Sequence, residues 1–108
     1  GGLVDPGETP AAAAARECLE ETGYGGGEVR PLGVVNPNPA LFGNRCHTFV
    51  YDGVTRVAEI RGEGTEETAV VVVSPAELEA CVASGDIDHA LVIAGLFWWQ
   101  RARDEASG

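Results

Sequence analysis

A chain of 108 residues with a net charge of −10 is one domain with a modest core. Seven basic side chains against seventeen acidic ones exclude non-specific binding to a nucleic-acid polymer, though not a nucleotide ligand whose phosphates meet a bound metal. No apolar run reaches transmembrane length and no signal peptide is evident, so no membrane partner is expected. The three cysteines, at 18, 46 and 81, lack metal or disulfide spacing, which points to reduced thiols in a cytoplasmic protein.

The first predicted element is a helix over Pro10 to Thr22. Thr9 suits the N-cap, and Pro10 suits the first helical position, where its missing N–H costs nothing. The alanine run 11–15 has the highest helix propensity, and Gly23 suits the residue past the end, where positive φ is needed. Ala11, Ala14, Ala15 and Cys18 form a narrow stripe of small residues fit for close packing. Glu17, Glu20 and Glu21 stand at i, i+3 and i+4, which puts three carboxylates on one turn. Such like-charge pairs cost a helix about 0.2–0.5 kcal/mol each, and two of the three meet the unfavourable end of the macrodipole. A hard divalent cation resolves both conflicts. Spacing alone also fits an ordinary solvated acidic face.

After the flexible Gly25–Gly27 link, Glu28 to Val35 reads as a strand, with Pro31 marking an edge or irregular position. Asn36-Pro-Asn-Pro is turn chemistry, and the loop runs to about Asn44. Arg45 to Asp52 alternates as a strand, with Cys46, Thr48 and Val50 on one face and His47, Phe49 and Tyr51 on the other. The acidic stretch 53–66 is irregular, with a short strand expected at Val57 to Ile60. Glu67 to Val73, ending in four valines, reads as a central strand buried on both faces. Ser74-Pro-Ala-Glu77 is a capping box opening a helix from Pro75 to about Ala83. A longer helix, capped by Asp86 or Asp88, then runs to about Asp104. Its adjacent Trp98 and Trp99 suit a core or dimer face better than a substrate-stacking surface.

Gly2, Glu8 and the string Arg16-Glu17-Cys18-Leu19-Glu20-Glu21-Thr22-Gly23-Tyr24 together resemble the Nudix box of the Nudix hydrolases, with every charged and glycine position filled. The resemblance implies an α/β Nudix fold, an α/β/α sandwich around a mixed β-sheet, as a single domain over 1–108. It also implies that strands upstream of the box are missing, because the chain opens on the box's own glycines and holds no methionine. It implies a loop-helix-loop that binds Mg²⁺ or Mn²⁺ through Glu17, Glu20, Glu21 and the Gly2 carbonyl. Glu8 and Arg16 then orient loop and helix, and Gly23 is a further structural residue of the motif.

The later segments, Asn36-Pro-Asn-Pro-Ala, Asn44-Arg-Cys-His-Thr-Phe and the Ser-Pro-x-Glu helix, resemble the ADP-ribose pyrophosphatase-type members. The implied reaction is metal-dependent cleavage of a nucleoside diphosphate-linked small molecule, first of all ADP-ribose to AMP and ribose 5-phosphate. In such enzymes a loop glutamate well after the box often serves as base. Glu63, Glu66 and Glu67 are the candidates, with Glu66 chosen, beside a merely solvated acidic loop. Asn44 and Arg45 are candidate phosphate or ribose contacts, and Arg45 fits a surface ion pair equally. His89 is a candidate cleft residue or a helix cap, and His47 is read as packed within its strand. A triphosphate pyrophosphohydrolase of the sanitising kind and a non-catalytic nucleotide-sensing module remain alternatives, and homodimerisation is expected from the resembling group.

Overall fold

Pro10–Thr22 is the first element, α1, of a computed structural model that describes residues 1–41, 43–59 and 70–107. Strands β1 (Tyr24–Gly25), β2 (Glu28–Val35), β3 (Cys46–Asp52) and β4 (Thr55–Arg56) follow, then helices α2 (Pro75–Ser84) and α3 (Ala90–Ser107). The α/β class expected from the sequence is met. Among the described residues the strands pair as β1 with β4 and β2 with β3. The chain divides into two units, Gly1–Pro31 with Phe49–Val71, and Leu32–Thr48 with Val72–Gly108.

In the first unit α1 is closed at both ends by the residues that the sequence nominates. Thr9 Oγ1 accepts from the Ala12 amide at 3.1 Å, and Gly23 takes φ +77° while its N–H reaches the Leu19 carbonyl at 2.9 Å. The Gly23 carbonyl in turn accepts from the amides of Val57 and Ala58, at 2.9 and 3.1 Å. A Cβ at Gly23 would strike the Ala58 carbonyl oxygen, so glycine is required here twice over. Tyr24 and Gly25 then pair antiparallel with Arg56 and Thr55. This pairing replaces the short strand expected at Val57 to Ile60: the ladder forms two residues earlier, and Ile60 lies outside the described residues.

The most covered position of α1 departs from the predicted alanine stripe. Ala13 is 4% exposed, whereas Ala11, Ala14, Ala15 and Cys18 are only half-buried. Ala13 lies three and four residues before Arg16 and Glu17, so the covered line of the helix is the one that carries the charged motif.

In the second unit Ser74 and Glu77 form the reciprocal capping box, each amide bonded to the other's side chain at 3.1 Å. Helix α3 is capped by His89 rather than by Asp86 or Asp88. The Ile93 amide bonds the His89 carbonyl at 3.0 Å, and the Leu91 amide donates to His89 Nδ1 at 3.2 Å. The imidazole sits one residue before the helix and reaches the orphan amide that an aspartate at 86 or 88 is too far upstream to meet.

The four-valine run is the other correction. Val70 to Val73 form no strand, and Val71 and Val72 are 76% and 80% exposed. Valine favours a pleated, half-buried surface only where a neighbouring strand supplies ladder partners. Residues 67–69 of that expected strand lie outside the described residues. Strand β3 begins at Cys46 instead of Arg45, an end effect of one residue.

One packing contact yields a stability prediction. The Trp98 indole lies so close over Gly33 that a Cβ there would overlap the ring, whereas a Cβ at Gly95 would meet Thr48 Cγ2 at an ordinary 3.4 Å. Gly33→Ala should therefore lower unfolding stability by about 1–3 kcal/mol through overpacking. Gly95→Ala, in a helix interior, should raise it by about 0.5–1 kcal/mol. Urea midpoints of the two variants should move in opposite directions, and shifts of the same sign would refute the contact.

Candidate functional site

The acidic helix α1 is covered at its charged face by the loop 2–8, and a single arginine ties the two together. Arg16 holds Glu8 in a bidentate fork, Nε to Oε2 at 2.9 Å and Nη2 to Oε1 at 3.0 Å. Its Nη2 also donates to the Leu3 carbonyl at 3.1 Å and lies 3.5 Å from Asp5 Oδ2. Its Nη1 reaches back along the helix to Glu17 Oε1 at 3.0 Å and Glu20 Oε2 at 3.4 Å. One planar guanidinium, with five donors in a rigid arrangement, thus binds the loop on one side and two helix carboxylates on the other.

The loop is itself pre-shaped. Pro6 and Gly7 occupy the centre of a turn in which the Glu8 amide bonds the Asp5 carbonyl at 3.0 Å, with Gly7 at φ +81°. Proline followed by a positive-φ glycine is the signature of a type II turn. Glu8 Oε1 accepts from the Asp5 amide at 3.1 Å, closing the turn from inside. At the loop's start Gly2 lies directly on the Glu17 carboxylate, and a Cβ there would overlap it. The Gly1 nitrogen lies 3.2 Å from Glu21 Oε2.

These contacts set the electrostatics. Hydrogen bonds from Arg16, and next from the Asp5 amide, hold the Glu8 carboxyl below its ordinary range. The same Glu8 contact is the largest cause raising the Arg16 guanidinium. A carboxyl with a lowered folded value contributes stability that is complete above its unfolded value, near 4.5, and is lost as pH falls through the folded value. Glu8→Gln should therefore be less stable than the parent at neutral pH. The gap should close in acid below about pH 4.5, as read by thermal melts across pH. A gap that widens in acid would contradict the assigned pairing.

The motif residues Gly2, Glu8, Arg16, Glu17, Glu20, Glu21 and Gly23 all lie in the first unit, where Arg16 joins Glu8, Glu17 and Glu20 and Gly2 lies on Glu17. Glu17 is 19% exposed, while Glu20 and Glu21 are 44% and 47% exposed. Among the described residues no three carboxylate, imidazole or thiol groups converge on one point. Glu17 and Glu20 both turn toward Arg16 Nη1, the positive group within reach of these crowded anions. The donor set fits Mg²⁺ or Mn²⁺ nonetheless: hard carboxylate oxygens at one turn, with a glycine backbone in contact with one of them.

The remaining candidates belong to the second unit or lie outside the described residues. Asn44 is exposed, and Arg45 folds back on its own loop, with Nη1 donating to the carbonyls of Gly43 at 3.3 Å and Asn44 at 3.1 Å. His89 is the α3 cap already described. Glu63, Glu66 and Glu67 fall outside the described residues. A cleft of about 460 Å³ between α2 and α3, lined by Leu78, Val82, Ile93, Phe97, Trp99 and Arg103 among others, contains none of the motif carboxylates. Its aromatic wall includes Trp99, with the Arg103 guanidinium 4.7 Å from the ring centroid. Cys18, Cys46 and Cys81 carry free thiols. No helix among the described residues is long and apolar enough to cross a membrane. Sequence reasoning missed Asp5 and the Leu3 carbonyl as partners of Arg16; the visible signal was the Asp-Pro-Gly turn within the motif's spacer.

The NUDIX domain family matches this chain over residues 1–94. The chain is 43% identical over 68 residues to the CMP-5'-(N-acetyl-N-hydroxy-3-aminopropyl)phosphonate hydrolase of Streptomyces rubellomurinus, covering 63% of this chain and 31% of that protein. It is 40% identical over 78 residues to a protein of Bacillus subtilis described as a putative 8-oxo-dGTP diphosphatase, covering 72% of this chain and 50% of that one. The crystal structure of an ADP compounds hydrolase superposes with a TM-score of 0.85 at 25% identity, over 97% of this chain and 56% of that chain. The chain therefore spans half or less of the two curated relatives and just over half of the solved structure.

Proposed function

The chain belongs to the Nudix family, and from that premise we propose that it hydrolyses the pyrophosphate bond of a nucleoside diphosphate-linked small molecule. ADP-ribose, yielding AMP and ribose 5-phosphate, is the first substrate of this reading. The observation that carries it is the acidic turn of α1, with Gly2 seated on Glu17 and Arg16 joining the Glu8 loop to Glu17 and Glu20. The structural likeness to an ADP compounds hydrolase supports an ADP-containing substrate.

Glu17, Glu20, Glu21 and the Gly2 carbonyl would hold Mg²⁺ or Mn²⁺. When bound, that ion supplies positive charge to the phosphate oxygens and acidifies the attacking water. Arg16 keeps two of these carboxylates and the Gly2 loop in fixed relation, so the donors need little reorganisation before substrate arrives. Glu66 is proposed as base, with Glu63 and Glu67 as alternates, and Asn44, Arg45 and His89 as substrate contacts. A reducing, cytoplasmic setting accords with the three free thiols, and a homodimer with no nucleic-acid or membrane partner completes the proposal.

One observation favours a second reading. The 40% identity to a protein described as a putative 8-oxo-dGTP diphosphatase supports a triphosphate substrate cleaved to a monophosphate and pyrophosphate. A panel of ADP-ribose, nucleotide sugars, dinucleotides and triphosphates, incubated with Mg²⁺, separates the two. AMP from ADP-ribose supports the first, and pyrophosphate from a triphosphate moves the assignment to the second. Nucleotide binding without turnover would sink the enzyme reading and leave a sensing module.

A further inference from the structure

The spacer between Gly2 and Glu8 is not chemically neutral. Asp5 meets Arg16 and Glu8 through three of its groups: its carboxylate stands 3.5 Å from Arg16 Nη2, its amide donates to Glu8 Oε1, and its carbonyl accepts from the Glu8 amide. The last two contacts are backbone bonds that any residue in this turn could make. The carboxylate contact is specific to an acidic side chain. It also adds a second anion, beside Glu8, to the loop side of Arg16, opposite the pull of Glu17 and Glu20 on Nη1. Coulombic attraction from Asp5 is among the causes that raise the Arg16 guanidinium.

We propose that Asp5 is a positioning residue that acts through Arg16 to hold the Gly2-bearing loop on Glu17. The inference rests on reading α1 as the metal-carrying helix. Removing the Asp5 charge leaves the turn intact, since Pro6, Gly7 and the Glu8 amide bond remain. It shifts the Arg16 fork toward the helix carboxylates and loosens its grip at Leu3 and Asp5. The loop then opens more often, and Gly2 spends less time against the Glu17 carboxylate.

The test compares the parent chain with Asp5→Asn and Asp5→Glu by amide hydrogen exchange over residues 2–8 and by Mn²⁺ titration followed by electron paramagnetic resonance. Asp5→Asn should speed exchange in that segment about two- to fivefold, the scale of losing one exposed ion pair, with exchange elsewhere unchanged. Mn²⁺ affinity should fall by a similar factor, and Asp5→Glu should restore much of both. Unchanged exchange over 2–8 in Asp5→Asn overturns the inference, as does a uniform rise across the whole chain. If the parent itself binds no Mn²⁺, the reading of the metal helix fails, while the exchange result still decides what Asp5 does.

Discussion

Glu17→Gln should lower kcat about a hundred- to a thousandfold, the scale of losing one preorganised charged group at a reacting centre. Of the three carboxylates, Glu17 is the least exposed, the one under Gly2 and the one closest to Arg16 Nη1. Glutamine keeps the shape beneath Gly2 and an oxygen for Arg16, so the fold changes little while the charge is lost. The measurement is kcat on the active member of the substrate panel, alongside the melting temperature. Loss of activity with an unmoved melting temperature places the effect in chemistry. Retained activity would remove Glu17 from the proposed ligand set.

Arg16→Lys should cost about ten- to a hundredfold in kcat/KM, the scale of losing a group that orients the proposed metal ligands. Lysine keeps the charge and loses the planar fork, so it cannot serve Glu8, the Leu3 carbonyl and the helix carboxylates at once. A second readout separates positioning from general damage. The Arg16 hydrogen bond is the largest cause lowering the Glu8 carboxyl, so in the variant that carboxyl should titrate back toward its ordinary value. Carboxyl-resolved nuclear magnetic resonance follows this directly, and an unmoved Glu8 would mean that Arg16 is not its partner.

What the sequence made legible was local. Thr9, Pro10 and Gly23 bound α1 because a cap, a first-turn proline and a positive-φ stop act within a few residues of themselves. Ser74 and Glu77 announced α2 for the same reason. The charged motif could be read as a pattern, and the structure gathers Glu8, Glu17 and Glu20 around Arg16. What failed depended on partners distant in the chain. Val70 to Val73 have strand composition, but they join no ladder among the described residues. His89 caps α3 through its ring nitrogen, a role that composition assigns first to aspartate. Asp5 was invisible because a spacer residue shows its value only once a turn aims it at a guanidinium. The candidate base Glu66 lies outside the described residues and rests on resemblance alone.

Gly23 does more than stop a helix. Its amide belongs to α1 and its carbonyl to the segment at Val57 and Ala58, so one peptide plane on each side joins two stretches more than thirty residues apart. The last turn of α1 cannot fray without also releasing those two amides. Helix end and distant segment should therefore open as one cooperative unit and report a shared protection factor in native-state exchange. The acidic turn carrying Glu20 and Glu21 is thus anchored from behind, and the chain that leaves Ala58 and Glu59 sets out from a point fixed to that same turn.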